Sequence, residues 1–374
     1  MRFTVSSSAL YSHLSAASRV MSSKNSMPIL DCFLLNIRDG KVTVTASDSE
    51  KYFVTSVELI EMTDNAMFCV PAKTMMESIK ELAEQPLTLE FNPDTHELTG
   101  IHQSGTFSVM GQDADPFPIQ QDINAEATRL ALPVNVLLNG INRCLFATAN
   151  DEIRLVMTGV YFDIKADSIT FAGTDGRKLV RNRNTSVQPG FEGGFILPKK
   201  VCAILKSVLT KGEDEIQINF DSEKALIQTP GFELYFRLIE GRYPNYNAVI
   251  PGNNPFQATV DRGSLIGALK RVSVFCNQSS GLMKVHLENN LMKLTGQDND
   301  YATSAEENLY CEYNNSPISI GFSCQFMLEI AAILEGESLT LQLADPSRPG
   351  IIVPAEQDPQ DEVLMLLMPM MLND

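Results

Sequence analysis

"FTVSSSALYSHLSAASRV" (3–20) is the stretch on which the fold turns. A short alternating run leads into Leu10, Leu14 and Ala17, apolar at i, i+4 and i+7, as one face of a helix requires. The pattern returns in "LALPVNVLLNGINRCLFA" (130–147), 127 residues on, and in "ATVDRGSLIGALKRVSVF" (258–275), a further 128 on. The apolar positions become Leu137, Ile141 and Cys144, then Leu265, Leu269 and Val272. Repetition of this kind sets the domain count before any single motif is weighed.

Each helix pattern is followed by two alternating stretches around a turn: "LLNIRDGKVTVTASD", "VYFDIKADSITFAGTD" and "VHLENNLMKLTGQD". Period-two alternation with Asp-Gly, Ala-Asp or Asn-Asn at the bend signals a hairpin. The closing aspartates Asp48, Asp175 and Asp298 recur at intervals of 127 and 123, and Pro71, Pro198 and Gly321 keep the same intervals at the start of a second cycle. Each third is therefore strand, helix and strands, twice over. The expected class is α+β, with helices packed on antiparallel sheet. Domains are expected over 1–122, 126–249 and 253–374, and helices over 7–20, 72–84, 134–147, 199–212, 262–275 and 324–336.

The formal net charge is −17, which disfavours nucleic acid and anionic membranes on average. The expected helices reverse that sign. They hold eleven Lys/Arg against five Asp/Glu, while the rest of the chain holds eighteen against forty-one. One helix alone carries Lys199, Lys200, Lys206 and Lys211. Helix-borne cations facing one way would attract a phosphate backbone without reading bases. Zinc-finger spacing, aromatic-interleaved basic strands and a basic tail are all missing.

Enzyme signatures are also missing. The four histidines form no metal-binding pair, and neither a nucleophile elbow nor a phosphate-binding glycine loop occurs. Asp48, Asp175 and Asp298 recur once per repeat, which suits an aspartate bonding turn N–H groups better than a catalytic acid. No catalytic residue, metal ligand or cofactor is expected. The seven scattered cysteines lack any CxxC and read as buried thiols in a reducing compartment. No signal peptide is evident, and the terminal "VLMLLMPMMLND" (363–374) is too short and proline-broken to span a bilayer.

The triple repeat, with "MPIL" (27–30), "TDGRKLV" (174–180), "EGRYPNY" (240–246) and "LMPMML" (367–372), closely resembles the bacterial DNA polymerase sliding clamps, the beta subunits of the replicative DNA polymerase III holoenzyme. The resemblance spans the whole chain. It implies a ring-shaped, head-to-tail homodimer with helices inside and sheets outside, acting as a processivity factor in the bacterial cytoplasm, with no membrane role. Double-stranded DNA would be held topologically and without sequence specificity. The polymerase, clamp loader and repair proteins would dock through short peptides.

Carried over by position, the resemblance implies a DNA channel of Arg19, Lys24, Lys73, Lys80, Arg143, Lys199, Lys200, Lys206, Arg262, Lys270 and Arg271. The loop "ANDEIR" (149–154) would lie near DNA, with acidic Asp151 and Glu152 weakening any contact. The ring contact would use Phe107 and Val109 against Val274 and Phe275. A partner-peptide pocket would take in Arg154, Met157, Thr174, Gly176, Arg177, Lys178, Leu179, Pro244, Val249 and Arg348. The tail would complete it: Leu366, Leu367, Met368, Pro369, Met370, Met371 and Leu372, with Met368–Leu372 left free to line the groove. Arg177 stands where the family more often has histidine, so the rim chemistry differs. A carboxylate-based hydrolase and a repeat scaffold without a DNA role are the competing readings.

Overall fold

Local capping fixes where the helices begin. In a computed structural model of the chain, the side chains of Ser6, Asp261 and Ser323 accept the backbone N–H groups of Ala9, Ser264 and Phe326. These caps open α1 (Ser7–Ser18), α5 (Arg262–Ser273) and α6 (Cys324–Ile333). Pro71 and Pro198, with φ fixed by their rings, directly precede α2 (Ala72–Lys80) and α4 (Lys199–Val208). The remaining helix, α3, runs Val134–Cys144. The structure describes residues 1–374 except 26, 119, 121, 211, 213, 373 and 374. Lys211 and the side chain of Glu152 therefore lie outside the described residues.

All six helices start at the expected residue and stop two to four residues early. After α1, α2 and α5 the chain tightens into i→i+3 bonds, Val20 N–H to Ala17 O (3.3 Å), Leu82 N–H to Ile79 O (3.1 Å) and Phe275 N–H to Val272 O (2.9 Å). Val20 stays fully buried beyond the helix proper, so its apolar character extended the pattern past the helix end. The repeated stripe itself is core: Leu10, Leu14 and Ala17, with their two sets of counterparts, are each at most 1% exposed.

One pairing needs correction. Ser323, not Gly321, occupies the place of Pro71 and Pro198 before the helix. Strand Thr303–Glu312 has ten residues against eight in Lys51–Glu58 and seven in Lys178–Asn184, which offsets the count.

The three leading hairpins form as read. Asp39 and Gly40 turn the first with φ of 52° and 75°, and Asn289 and Asn290 turn the third with φ of 48° and 62°. The second closes with Lys165 opposite Ser168. Asp48, Asp175 and Asp298 each accept two backbone N–H groups in the turn that follows.

By internal contacts the chain forms two compact units, 1–134 with 203–238 and 135–202 with 239–374. In the first unit, α1 packs on α2 and on strands Lys41–Ser47 and Lys51–Glu58. Its sheets have five and nine strands, and in the larger one strand Lys51–Glu58 pairs antiparallel with Glu233–Arg237. In the second unit, α5 packs on α6 and on strands Leu291–Asp298 and Thr303–Glu312. Its twelve-stranded sheet is joined by strand Lys178–Asn184 pairing with Asp361–Leu367. The division cuts the middle third because each part of it is hydrogen-bonded to strands of a neighbouring third.

Gly140 tests the closeness of helix to sheet. A Cβ there would lie 2.3 Å from the ring of Phe171, which is itself fully buried. Alanine gains about 1 kcal/mol of helix propensity over glycine, whereas overpacking a core costs about 1–3 kcal/mol. Gly140→Ala is expected to lower stability by about 1–2 kcal/mol in chemical denaturation.

Candidate functional site

The turn "TDGRK" (174–178) is tied at every position. Thr174 Oγ1 accepts Gly176 N–H at 3.0 Å and donates to Lys178 O at 2.7 Å. Asp175 Oδ1 accepts the N–H groups of Arg177 (2.8 Å) and Lys178 (3.0 Å), and its Oδ2 accepts Lys178 Nζ at 2.9 Å. Gly176 sits at φ +86°, left-handed backbone that glycine adopts at no steric cost. Arg154 reaches over the turn, donating to Asp175 O (2.8 Å) and to Asp151 Oδ2 (2.7 Å). That guanidinium holds the Asp151 carboxyl below its usual pKa range.

Two surfaces meet at this turn. On one side Leu179 and Leu366 are buried together with Tyr243 and Tyr246, and Val156 and Ile250 pack against them. Pro244 and Val249 belong to the same segment, with Val249 53% exposed, and Met157 is half-buried. On the other side a cavity of about 510 Å³ is walled by Arg177, the loop 278–281, the start of α6 and Met368–Met370. Its floor is apolar, from Phe326 and the two methionines, while Ser279, Ser280, Gln278 and Gln325 bring hydroxyls and amides. Such mixed lining suits an amphipathic peptide.

The structure departs from the expected site at several residues. Lys178 does not face the cavity: it is 6% exposed, with Nζ 3.8 Å from the Phe326 ring centroid and 3.9 Å from Glu329. It is a buried cation held by a carboxylate and an aromatic face. The tail is not free. Met368 N–H donates to Arg177 O (2.9 Å) and Met370 N–H to Gly321 O (2.8 Å). Gly321 permits this because a Cβ there would lie 2.4 Å from Met370 O. Leu367 is buried, Met371 is 89% exposed, and Arg348 stands by Asp345 (4.0 Å) outside the cavity wall. Sequence reasoning missed the wall residues 278–281, Ser323, Gln325 and Phe326. Their available signal was positional: the loop after α5 corresponds to "ANDEIR" after α3.

The expected channel cations divide into two groups. Arg19, Lys24, Lys73, Lys80, Lys200, Lys206, Lys270 and Arg271 are exposed, and Lys199 is half-buried with Nζ 2.5 Å from Asn150 Oδ1. Arg271 grips Glu307 through Nε and Nη2, at 2.7 and 2.8 Å. Arg143 and Arg262 do structural work instead. Arg262 donates to the carbonyls of Ala331 (2.9 Å) and Ala332 (3.2 Å) in the last turn of α6, where helix carbonyls run out of intrahelical donors. Arg143, 13% exposed, donates to Asp361 Oδ2 (2.6 Å) and Asn182 Oδ1 (3.3 Å). At the expected ring contact, Val274 is 76% exposed and Phe275 37%, but Val109 is 4% exposed, packed into its own sheet. Phe107, half-buried, lies across Gly100, where a Cβ would sit 2.2 Å from its ring.

Family models of the DNA polymerase III beta subunit match the chain almost end to end: the N-terminal domain over 1–121, the central domain over 131–245 and the C-terminal domain over 247–371. The chain belongs to this family. Curated relatives include the beta sliding clamps of Synechococcus elongatus, 28% identical over 95% of this chain and 96% of that one, and of Chlamydia pneumoniae, 27% identical over both whole chains. Solved structures of the fold include the sliding clamp of Pseudomonas aeruginosa bound to griselimycin and the beta subunit of Thermotoga maritima. They match over both whole chains at TM-scores of 0.94 and 0.90, with 23% and 24% identity. As a sliding clamp of three clamp domains, the protein is a processivity factor of DNA replication and not an enzyme. No helix among the described residues is long and apolar enough to cross a membrane.

Arg143 separates the structural cations from the exposed ones. Removing one partner of a buried, hydrogen-bonded ion pair costs about 3–5 kcal/mol. Arg143→Met is expected to lose stability near the low end of that range in denaturant titration, while the folded fraction keeps its retention on DNA.

Proposed function

We propose that two copies close head to tail around duplex DNA, and that partner peptides dock in the cavity beside Arg177 and Met368–Met370. One observation carries the ring: two internal joints share a register, and the strands of a third are left open. In the first joint Lys51 stands opposite Phe236; in the second Lys178 stands opposite Leu367. Both lysines lie three residues after the turn aspartate. The matching strand of the last third, Thr303–Glu312, pairs on its outer side only through Cys311 and Glu312. The matching strand of the first third, Gly105–Met110, forms the edge of its five-stranded sheet.

Unpaired edges invite another strand. The repeated register sets Val109 of one copy opposite Tyr301 of the other, and Phe107 opposite Thr303. Exposed apolar side chains accompany these edges: Met110 (63%), Tyr301 (76%), Tyr310 (73%) and Val274 (76%). The exposed helix cations then supply a weak, screened, sequence-blind attraction, which favours sliding over sticking.

A clamp loaded on nicked circular DNA is expected to stay through gel filtration and to be lost when one cut linearises the circle. Equal retention on both forms would overturn the ring.

The docking reading draws on the cavity and on griselimycin, the ligand of relatives from Pseudomonas aeruginosa and Bartonella birtlesii. Cutting the chain after Val363 would remove Met365, Leu366 and Leu367, all at most 2% exposed, and so test folding instead of docking. Gly321→Val is the cleaner probe, because valine suits a strand while its Cβ collides with Met370 O. Losing one apolar contact of about 1.5–3 kcal/mol corresponds to roughly tenfold or more in affinity. Griselimycin binding is expected to weaken by that factor with the melting transition retained; unchanged affinity would place docking elsewhere.

A further inference from the structure

Two thioethers stand in the cavity wall, where water reaches them. Met368 is exposed and Met370 half-buried, and both border the cavity of about 510 Å³ beside Arg177. That volume is space open to water, and hydrogen peroxide is only slightly larger than a water molecule. The methionines nearest in sequence are shielded. Met365, just before the tail, and Met327, beside the floor residue Phe326, are both buried, as are Met75, Met283 and Met292.

The backbone that carries the two wall methionines is fixed in place. Met368 N–H is bonded to Arg177 O at 2.9 Å, and Met370 N–H to Gly321 O at 2.8 Å. Among the described residues, the apolar side chains of the lining are Phe326, Pro369 and these two methionines. The rest of the lining brings hydroxyls, amides, a glycine and one arginine. An apolar group docked here therefore meets thioether over much of the apolar surface open to it.

We propose that Met368 and Met370 are a reversible oxidation site, whose conversion to sulfoxides by peroxide makes the partner pocket polar and releases its ligand. This rests on the docking reading above. A thioether is soft and weakly hydrated, and it packs readily against apolar surface. A sulfoxide carries an oxygen that accepts hydrogen bonds from water. An apolar ligand displaces that water without replacing its bonds, which costs affinity. The same backbone pairing that holds the methionines in the wall keeps the polar oxygens beside the cavity.

The chemistry balances with one peroxide per methionine. A sulfur lone pair attacks one peroxide oxygen, the O–O bond breaks, and the proton on the transferred oxygen leaves with hydroxide as water. Sulfur loses two electrons, the peroxide gains them, and the side chain gains one oxygen. Methionine sulfoxide reductases reverse the step. Two of their thiols supply two electrons and two protons and become a disulfide, and the oxygen leaves as water. Met371, exposed but outside the cavity wall, is open to the same oxidant and serves as an internal reference.

The experiment treats the full chain with hydrogen peroxide, removes the peroxide with catalase, and measures peptide-mapped mass and binding of fluorescent griselimycin. The expected result is one added oxygen on each of Met368 and Met370 before Met327 or Met365 gains any, with roughly tenfold weaker binding. Methionine sulfoxide reductases of both stereospecificities, with dithiothreitol, are expected to restore mass and affinity together. Leucine keeps the apolar volume and has no sulfur to oxidise. A double variant, Met368→Leu with Met370→Leu, is therefore expected to hold whatever affinity it starts from through the same treatment. It still carries Met371 and the exposed Met67 and Met110, so an equal loss of affinity in this variant overturns the proposal. So does an oxidised wall with unchanged affinity, or a wall that gains no oxygen while Met371 does. If the untreated chain fails to bind griselimycin, the docking reading falls and the regulation with it, while the mass map still judges the two methionines as an oxidation site.

Discussion

Seven consecutive residue pairs, from Lys178 opposite Leu367 to Asn184 opposite Asp361, join the middle of the chain to its end. The proposed partner site hangs from one end of this ladder. The turn at Asp175–Arg177 runs into the first residue of one strand, and the tail Met368–Met370 leaves the last residue of the other. Met368 N–H to Arg177 O extends the ladder by one bond beyond the strands. Two segments nearly two hundred residues apart thereby become adjacent walls, and neither can move without breaking backbone pairing. The proposed docking surface continues a sheet, and its methionine side chains would let that one frame accept several partners.

At its other end the ladder is braced by side chains. Asp361 accepts Arg143 at 2.6 Å and Asn182 at 2.9 Å, so one carboxylate links α3 to both strands of the joint. A half-buried carboxylate loses part of its hydration and needs its lone pairs met, and here a guanidinium and an amide meet them. Arg143, Arg262 and Lys178 show that a basic residue on a helix or turn of this acidic chain has two destinations. The deciding factor is whether an acceptor lies within reach in the folded state. Nothing in the local sequence distinguishes Arg143 from Arg19.

That limit separates what the chain reveals from what it hides. Helix starts were legible because caps are local: a serine, aspartate or proline at the boundary acts on the next three residues. Helix ends were not, because Val20 and Phe275 carry the apolar pattern into turns that tertiary packing shapes. Hairpin bends were legible for the same local reason. The orientation of Lys178 was hidden, since it depends on Phe326, nearly a hundred and fifty residues away. So was the use of Gly321, a missing Cβ that matters only because Met370 crosses it. The sequence repeat offered a proline-like position for this glycine, and a longer strand in the last third made that counting fail.

The joint between copies in the proposed ring differs from the two internal ones in a single charge. Lys51 reaches Asp48 at 2.7 Å and Lys178 reaches Asp175 at 2.9 Å, each a buried pair at the start of a permanent strand joint. The third copy has Tyr301 in that place, 76% exposed, while Asp298 stays 4% exposed. Asp298 meets its needs without a cation, through the N–H groups of Asp300 (2.9 Å) and Tyr301 (3.3 Å) and the amide of Asn277 (3.3 Å). A lysine here would have to lose its water each time two copies met, a cost the covalently tethered joints meet once, on folding. A tyrosine carries no such charge, and it gains apolar contact on association with little rotamer entropy to lose. In the proposed ring, the substitution of Tyr301 for lysine suits the one joint that must form between separate molecules.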